Sequence, residues 1–447
     1  MLSVRYDKRM RDQIFQKLSK FLDKPTNIPE WIPGKDTVMY SGPYFDQSEY
    51  LAAIDALLDG WLVLGKRGLE FEHSFPRYLG KQHGLLTNSG SSANLLMMSA
   101  LRSKRSYNLP KTTKVITPIA GFPTTLNPII QVGFEPVFVD IELDSLNLDL
   151  DQVEYEAQHG AKIITFAHVL GNPPNMTRLM DIVSKYDLIL LEDCCDALGS
   201  TFEGKPLGGF GLMSSCSFYP AHHITMGEGG FVATQTKELE IITRSFREWG
   251  RGCYCTGPKA NKLKNGMCGS RFSNWLPSLP DEIFDHKYVY DEIGFNLKPI
   301  EIQAAIGLEQ IKKLPNIHQK RKDNFKKLYN IFAPFQDHFI LPKATNNSDP
   351  SWFAFAITIK DNRKFNRSLM TNYLEEHKIQ TRPYFAGNIL LQPAYDGMMS
   401  YDDLNIKYPN ARKVTTDTFF LGTSPVITDC QLDYIEEIVN NFMKAYS

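Results

Sequence analysis

Between residues 83 and 234 the chain alternates short, near-continuous apolar runs with segments of helical pattern, and this alternation constrains the fold more than any other feature. The runs are HGLLTNSG, KVITPIAG, EPVFVDIEL, AKIITFAHVLG, LILLEDCCDALG and GGFVATQ; helical stretches such as SSANLLMMSALRS and MTRLMDIVSKYD lie between them. A strand apolar at nearly every position is buried on both faces, and helices between such strands return the chain across the sheet. The pattern therefore predicts a mainly parallel sheet layered with helices. At 447 residues the chain exceeds what one hydrophobic core usually holds, about 250 to 300 residues.

The flanking segments read differently. The first 37 residues suggest a helix and then a Pro-punctuated arm, KPTNIPEWIPGKD, and residues 46–82 read as helix broken near Gly60 and Gly65. Residues 250–290 lose all period and are rich in Gly, Pro, Asn and Lys, as a structured insertion would be. A long helical pattern from PIEIQAAIGLEQ leads into a smaller α+β region. The expected layout is an N-terminal arm with helices at 1–55, a large domain at 56–325 with a cysteine-rich insertion at 250–290, and a small α+β domain at 326–447.

Composition narrows the partners. A net charge of -1, with 43% hydrophobic and 22% charged residues, gives no electrostatic case for nucleic acid or an anionic membrane. No stretch supplies about 20 uninterrupted apolar residues, and the charged start MLSVRYDKRMRDQ lacks the form of a signal peptide, so a cytoplasmic protein is expected. In that compartment the seven cysteines point to free thiols, metal ligands or redox chemistry, not to a disulfide framework.

Ligands of open α/β sheets bind beyond the carboxyl ends of the strands. There, TNSGSSAN (87–94) opens a helix whose free N–H groups suit a phosphate, although Ser-Gly-Ser also serves as a plain cap. Asp193 ends the buried run LILLED and needs a positive partner or several donors; a protonated pyridine nitrogen or the next helix start would each serve. SFYPAHHITMGEGG (217–230) sets two histidines before a Gly-rich turn. His168, after AKIITFA, reads equally as a site residue or a structural one.

Taken together, NSGSSAN, AGFPTTLNP, EDCCDALGS, SFYPAHH with GEGG, and GFNLKPIEIQAAIGLEQ resemble, in order and spacing, the fold type I pyridoxal-phosphate enzymes that aminate nucleotide-linked keto-sugars. The resemblance spans roughly residues 50–440. It implies an α/β fold with a mainly parallel mixed sheet in the large domain and a smaller α+β domain. It makes Gly90, Ser91 and Ser217 phosphate holders, stacks Phe122 on the coenzyme ring, and pairs Asp193 with the pyridine nitrogen. Asp196 falls near the ring hydroxyl. Asn296 reaches the phosphate of a neighbouring subunit, which implies a homodimer with composite sites. His222 stands where the aminotransferases carry the lysine that binds the coenzyme covalently. Imidazole cannot form that link, so the resemblance implies pyridoxamine phosphate held without a bond, with His222 moving protons. His223 receives no catalytic role.

The cysteines extend the likeness. Cys195, then 57 residues, Cys253, one residue and Cys255 resemble the [2Fe-2S] ligand pattern of the CDP-4-keto-6-deoxyglucose 3-dehydrases. Cys268 supplies the fourth ligand after a gap of 12 residues, longer than the family's. Four cysteines also suit structural zinc. The expectation is C3 deoxygenation of a nucleotide-linked 4-keto-6-deoxysugar in 3,6-dideoxysugar biosynthesis, with a CDP-linked substrate and an NAD(P)H-dependent flavin iron-sulfur reductase as electron source. A cluster-free 3-dehydratase or aminotransferase using glutamate, a TDP-sugar 3-dehydratase and a non-catalytic sensor or scaffold stay open. Arg382 and Tyr384, in TRPYFAGN, are candidate substrate contacts or a solvated loop. Cys194, Cys216 and Cys430 read as buried thiols.

Overall fold

The computed structural model describes residues 8–23, 30–253, 271–361 and 364–446. The six apolar runs are strands: β1 (His83–Thr87), β2 (Lys114–Pro118), β3 (Glu135–Val139), β4 (Ile163–Ala167), β5 (Ile189–Asp193) and β7 (Gly230–Thr234). A further strand, β6 (Met213–Ser217), completes a seven-stranded sheet in the order β1-β7-β6-β5-β4-β2-β3. Only β7 runs against its neighbours, so the sheet is mixed as well as mainly parallel.

β6 reads MSSCS and carries no aliphatic run, yet every residue in it is buried. Its small side chains leave room for the helix that packs on it. That helix, α4 (Gly90–Arg102), buries Ala93, Leu96, Met97, Ala100 and Leu101. α5 (Pro123–Val132) and α8 (Lys237–Arg247) pack beside it, and the other described α-helices before β7 are α1 (Lys8–Leu22), α2 (Gln47–Leu58), α3 (Lys66–Ser74), α6 (Leu150–Gln158) and α7 (Met176–Lys185).

The 32-residue helix α9 (Glu301–Phe332) spans about 48 Å at 1.5 Å per residue and belongs to two cores. Ala304, Ile311, Leu314 and Ile317 pack with β2, β4 and β5, whereas Leu328, Ile331 and Phe332 pack beneath a second sheet. That sheet has four antiparallel strands in the spatial order Phe339–Ile340, Ala354–Ile359, Thr418–Gly422 and Arg382–Pro383. Helices Arg367–Glu376 and Asp429–Tyr446 contribute to its core. Glu301, at the start of α9 and 2% exposed, accepts from the backbone N–H groups of Gly65, Arg67 and Gly68 and so caps α3 from a distance.

Within the expected insertion, Phe272–Ser273 pairs with Phe284–Asp285, and the ring of Trp275 stacks on His286 at 3.8 Å. Cys255 and Cys268 lie outside the described residues. Cys194 and Cys216 are buried as expected, but Cys430 is exposed, because it occupies the first turn of the last helix where side chains meet solvent. Among the described residues no helix is long and apolar enough to cross a membrane.

Candidate active site

A cavity of about 740 Å³ opens at the carboxyl ends of β4, β5 and β6 and is closed on one side by residues 382–385 and Phe420 of the second sheet. Gly90, Ser91, Phe122, Asp193, Cys195, Asp196, Ser217, His222, Arg382 and Tyr384 all lie on its wall. Residues scattered over nearly 300 positions are thus brought together.

One end is the start of α4. Ser89 caps it by accepting from Ser92 N–H at 3.1 Å, which leaves the first N–H groups of the helix without an intrahelical partner. Gly90 is required by space: a Cβ there would stand 2.6 Å from the Ser217 Cβ and 2.9 Å from the Cys195 Sγ. Gly230 is held to the same rule, its missing Cβ falling 2.2 Å from the Ser89 carbonyl oxygen. The backbone can therefore close around an anion at a helix N-terminus, with the Ser217 hydroxyl beside it.

Asp193, 4% exposed, is held on both oxygens: Asn94 Nδ2 donates to one at 2.7 Å and the Cys195 N–H to the other at 3.0 Å. Ser215 on β6 donates to the Asn94 Oδ1 at 2.6 Å. This Ser215–Asn94–Asp193 chain fixes the carboxylate at the cavity floor, where a protonated ring nitrogen would find a charged acceptor.

Opposite, the turn after β6 presents His222. Its Nε2 lies 3.4 Å from the Asp196 carboxylate, while its Nδ1 is buried without a partner. Among the described residues lining the cavity there is no lysine. His223 points elsewhere: it bonds the Ser351 carbonyl, and burial first, then the nearby Arg321 charge, holds its pKa well below the usual histidine value.

The remaining candidates divide. Phe122 presents a half-exposed ring, edge-on to Phe385 at 6.0 Å. Arg382 lies over the Tyr40 ring at 4.4 Å, with Nη1 donating to the Thr381 carbonyl. Tyr384 is 1% exposed, its hydroxyl reaches the Leu146 carbonyl at 3.4 Å, and burial pushes the phenol up. Asn296 lies outside the cavity and accepts from Lys298 Nζ. His168 also points away from it. Its Nε2 meets the buried Glu192 at 3.0 Å, and that carboxylate is further satisfied by the N–H groups of Gly208, Phe210 and Gly211.

Cys195 lies on the cavity wall, and burial, reinforced by Asp193, pushes its thiol pKa well up. It stays protonated unless a cation holds it as thiolate. Cys253 is half-buried beyond the Trp249–Gly252 turn. Asn94 closes the NSGSSAN motif, but neither it nor Ser215 is singled out by the sequence as the residue that aims Asp193; the one signal is a polar residue on the sheet-facing side of α4.

A model of the DegT/DnrJ/EryC1/StrS aminotransferase family matches residues 43–440. The chain belongs to this family. The DegT/DnrJ/EryC1/StrS chain is 42% identical over 434 residues to the lipopolysaccharide biosynthesis protein RfbH of Salmonella typhimurium, covering 95% of this chain and 96% of that one. It is 39% identical over 427 residues to the dTDP-4-dehydro-2,6-dideoxy-D-glucose 3-dehydratase of Saccharopolyspora spinosa, covering 94% and 89%. Among solved structures it resembles the E. coli GDP-4-keto-6-deoxy-D-mannose-3-dehydratase with bound hydrated PLP, at 28% identity and a TM-score of 0.75, covering 90% of this chain and 100% of that one. The fold is that of the fold type I PLP-dependent enzymes, and this DegT/DnrJ/EryC1/StrS member is an enzyme of the sugar aminotransferase and 3-dehydratase group.

Proposed function

We propose that the chain removes the C3 hydroxyl of a nucleotide-linked 4-keto-6-deoxyhexose, taking the CDP-linked glucose derivative as substrate, in 3,6-dideoxysugar biosynthesis. The observation that carries this reading is His222: an imidazole faces Asp196 in a cavity whose described walls hold no lysine. A site that cannot attach its coenzyme can still move protons beside it. Relatives named as 3-dehydratases of dTDP and GDP sugars support the reaction class.

The residues fit pyridoxamine phosphate. The Gly90–Ser91 backbone and the Ser217 hydroxyl suit its phosphate, Phe122 one face of its ring, and the twice-bonded Asp193 its ring nitrogen. When bound, the coenzyme supplies the amine that engages the sugar ketone and the ring that takes up electrons as the C3 hydroxyl leaves. Asp193 keeps the ring nitrogen protonated. Asp196, 3.4 Å from His222 Nε2, would stabilise a proton held on that nitrogen and would be the residue on the side of the ring hydroxyl. Phe353, Tyr384, Phe385 and Phe420 wall off water. Arg382 would meet the nucleotide-sugar, and Asn296 of a second copy would complete the phosphate site of a homodimer.

A [2Fe-2S] centre on Cys195, Cys253, Cys255 and Cys268 would supply single electrons from a flavin iron-sulfur reductase fed by NAD(P)H. What supports it is the cysteine spacing and the place of Cys195 on the cavity wall beside Asp193. A second reading, a dTDP-linked substrate, is favoured by the name of the Saccharopolyspora relative.

Protein purified without oxygen tests the electron-transfer part. Visible bands that bleach with dithionite, with about two irons and two labile sulfides per chain, are expected. A colourless protein that turns over only with glutamate would remove the cluster and leave a coenzyme-only dehydratase.

A further inference from the structure

Arg321, on the middle of α9 between its two cores, is one of the largest fully buried side chains, at 1% exposure. No carboxylate hydrogen-bonds it. Nη1 donates to the Phe353 carbonyl at 3.1 Å, and Nη2 donates to the carbonyls of Ala221 at 3.1 Å and His222 at 3.0 Å. Its Nε is buried without a partner. Burying a guanidinium with only carbonyl partners is unfavourable, and burial lowers its pKa to about 9, partly countered by Asp196. It stays charged at neutral pH. A core helix gains more from an apolar side chain, so this arrangement needs another reason.

The three carbonyls supply it. Two belong to the turn that carries the His222 ring, and the third to Phe353, whose ring lies 5.4 Å from that of His222 on the same cavity wall. The planar fork thus ties both supports of the imidazole to one rigid helix. We infer that Arg321 is a positioning residue for His222, clamping the 221–222 turn and Phe353 so that the imidazole holds one direction in the cavity. This rests on the reading of His222 as the proton carrier.

The test compares the full-length protein with Arg321→Met and Arg321→Lys. In Arg321→Met, amide hydrogen exchange is expected to quicken in the peptide around 218–226 while β2 and β4 keep their protection. The affinity for pyridoxamine phosphate, followed by fluorescence titration, and KM should stay within about twofold, and kcat should fall about ten- to hundredfold. Arg321→Lys keeps the charge but cannot span three carbonyls, so it should recover only part of kcat. Unchanged exchange around 218–226 in a folded Met variant would overturn the clamp, as would equal losses of coenzyme affinity and kcat. If Arg321→Met does not fold, full wild-type kcat in Arg321→Lys overturns it instead. His222→Gln is measured alongside: undiminished turnover there sinks the reading of His222, whereas the exchange result stands apart from it.

Discussion

Under the proposed function His222 decides how the coenzyme is held, and the question reduces to one atom. An imidazole nitrogen has no route to a stable covalent bond with an aldehyde, whereas a lysine amine has. Borohydride treatment of the protein loaded with pyridoxal phosphate should leave the coenzyme removable by gel filtration. In His222→Lys a pyridoxyl group should stay attached, and C3 deoxygenation should fall by orders of magnitude. Asn94 carries a second prediction. It bonds Asp193 from 99 positions away, so Asn94→Ala removes one of the two donors on a buried carboxylate. The expected loss is about 1 to 3 kcal/mol of coenzyme binding, read by titration with pyridoxamine phosphate. His222 and Asp193 are legible in the sequence because each belongs to a local motif beside a strand end. The roles of Asn94, although it closes the NSGSSAN motif, and of Ser215 are not legible, since they exist only once α4 lies on β6.

Among the elements, the strands that the sequence announces are those that bury aliphatic side chains. β6 escapes the pattern because its position under α4 demands small residues, and Ser and Cys carry no strand signature there. The junction of α3, β1 and α8 is equally silent in sequence. Glu72 on α3 accepts from the Leu86 N–H of β1 and from Arg244 and Arg247 of α8, all buried. Burial alone raises the pKa of Glu72, but the two guanidiniums outweigh it and hold the pKa below the ordinary glutamate value. Its folded pKa therefore lies under the unfolded one, about 4.3, so the stability it adds is present above that pH and is lost as pH falls through the folded value. Glu72→Gln should cost about 1 to 3 kcal/mol near neutral pH, because two buried cations lose a shared anion while Arg244 keeps Glu240 and Arg247 keeps Glu248. Urea melts at a series of pH values should show the gap between wild type and variant closing in acid. A gap that is constant with pH would assign the loss to packing.

For the whole molecule, the order of large sheet, long helix and small antiparallel sheet matches a period change that the sequence displays: parallel-sheet alternation, then one long helix, then a short α+β region. What the pattern cannot supply is closure. The cavity exists because residues 382–385 and Phe420 of the second sheet cover the strand ends of the first, and α9 fixes the distance between them. Arg382 and Tyr384 read in the sequence as either substrate contacts or a solvated loop; the fold makes them cavity wall. The central claim is that this enclosed site deoxygenates a sugar where many of its relatives aminate one. The most direct test is the mass of the nucleotide-sugar recovered after incubation of the protein with pyridoxamine phosphate, CDP-4-keto-6-deoxyglucose and a reductase with NADH. A product lighter than the substrate by one oxygen atom, with its C4 ketone intact, is the predicted result. A product that keeps the C3 hydroxyl and carries an amine at C4 would contradict the account.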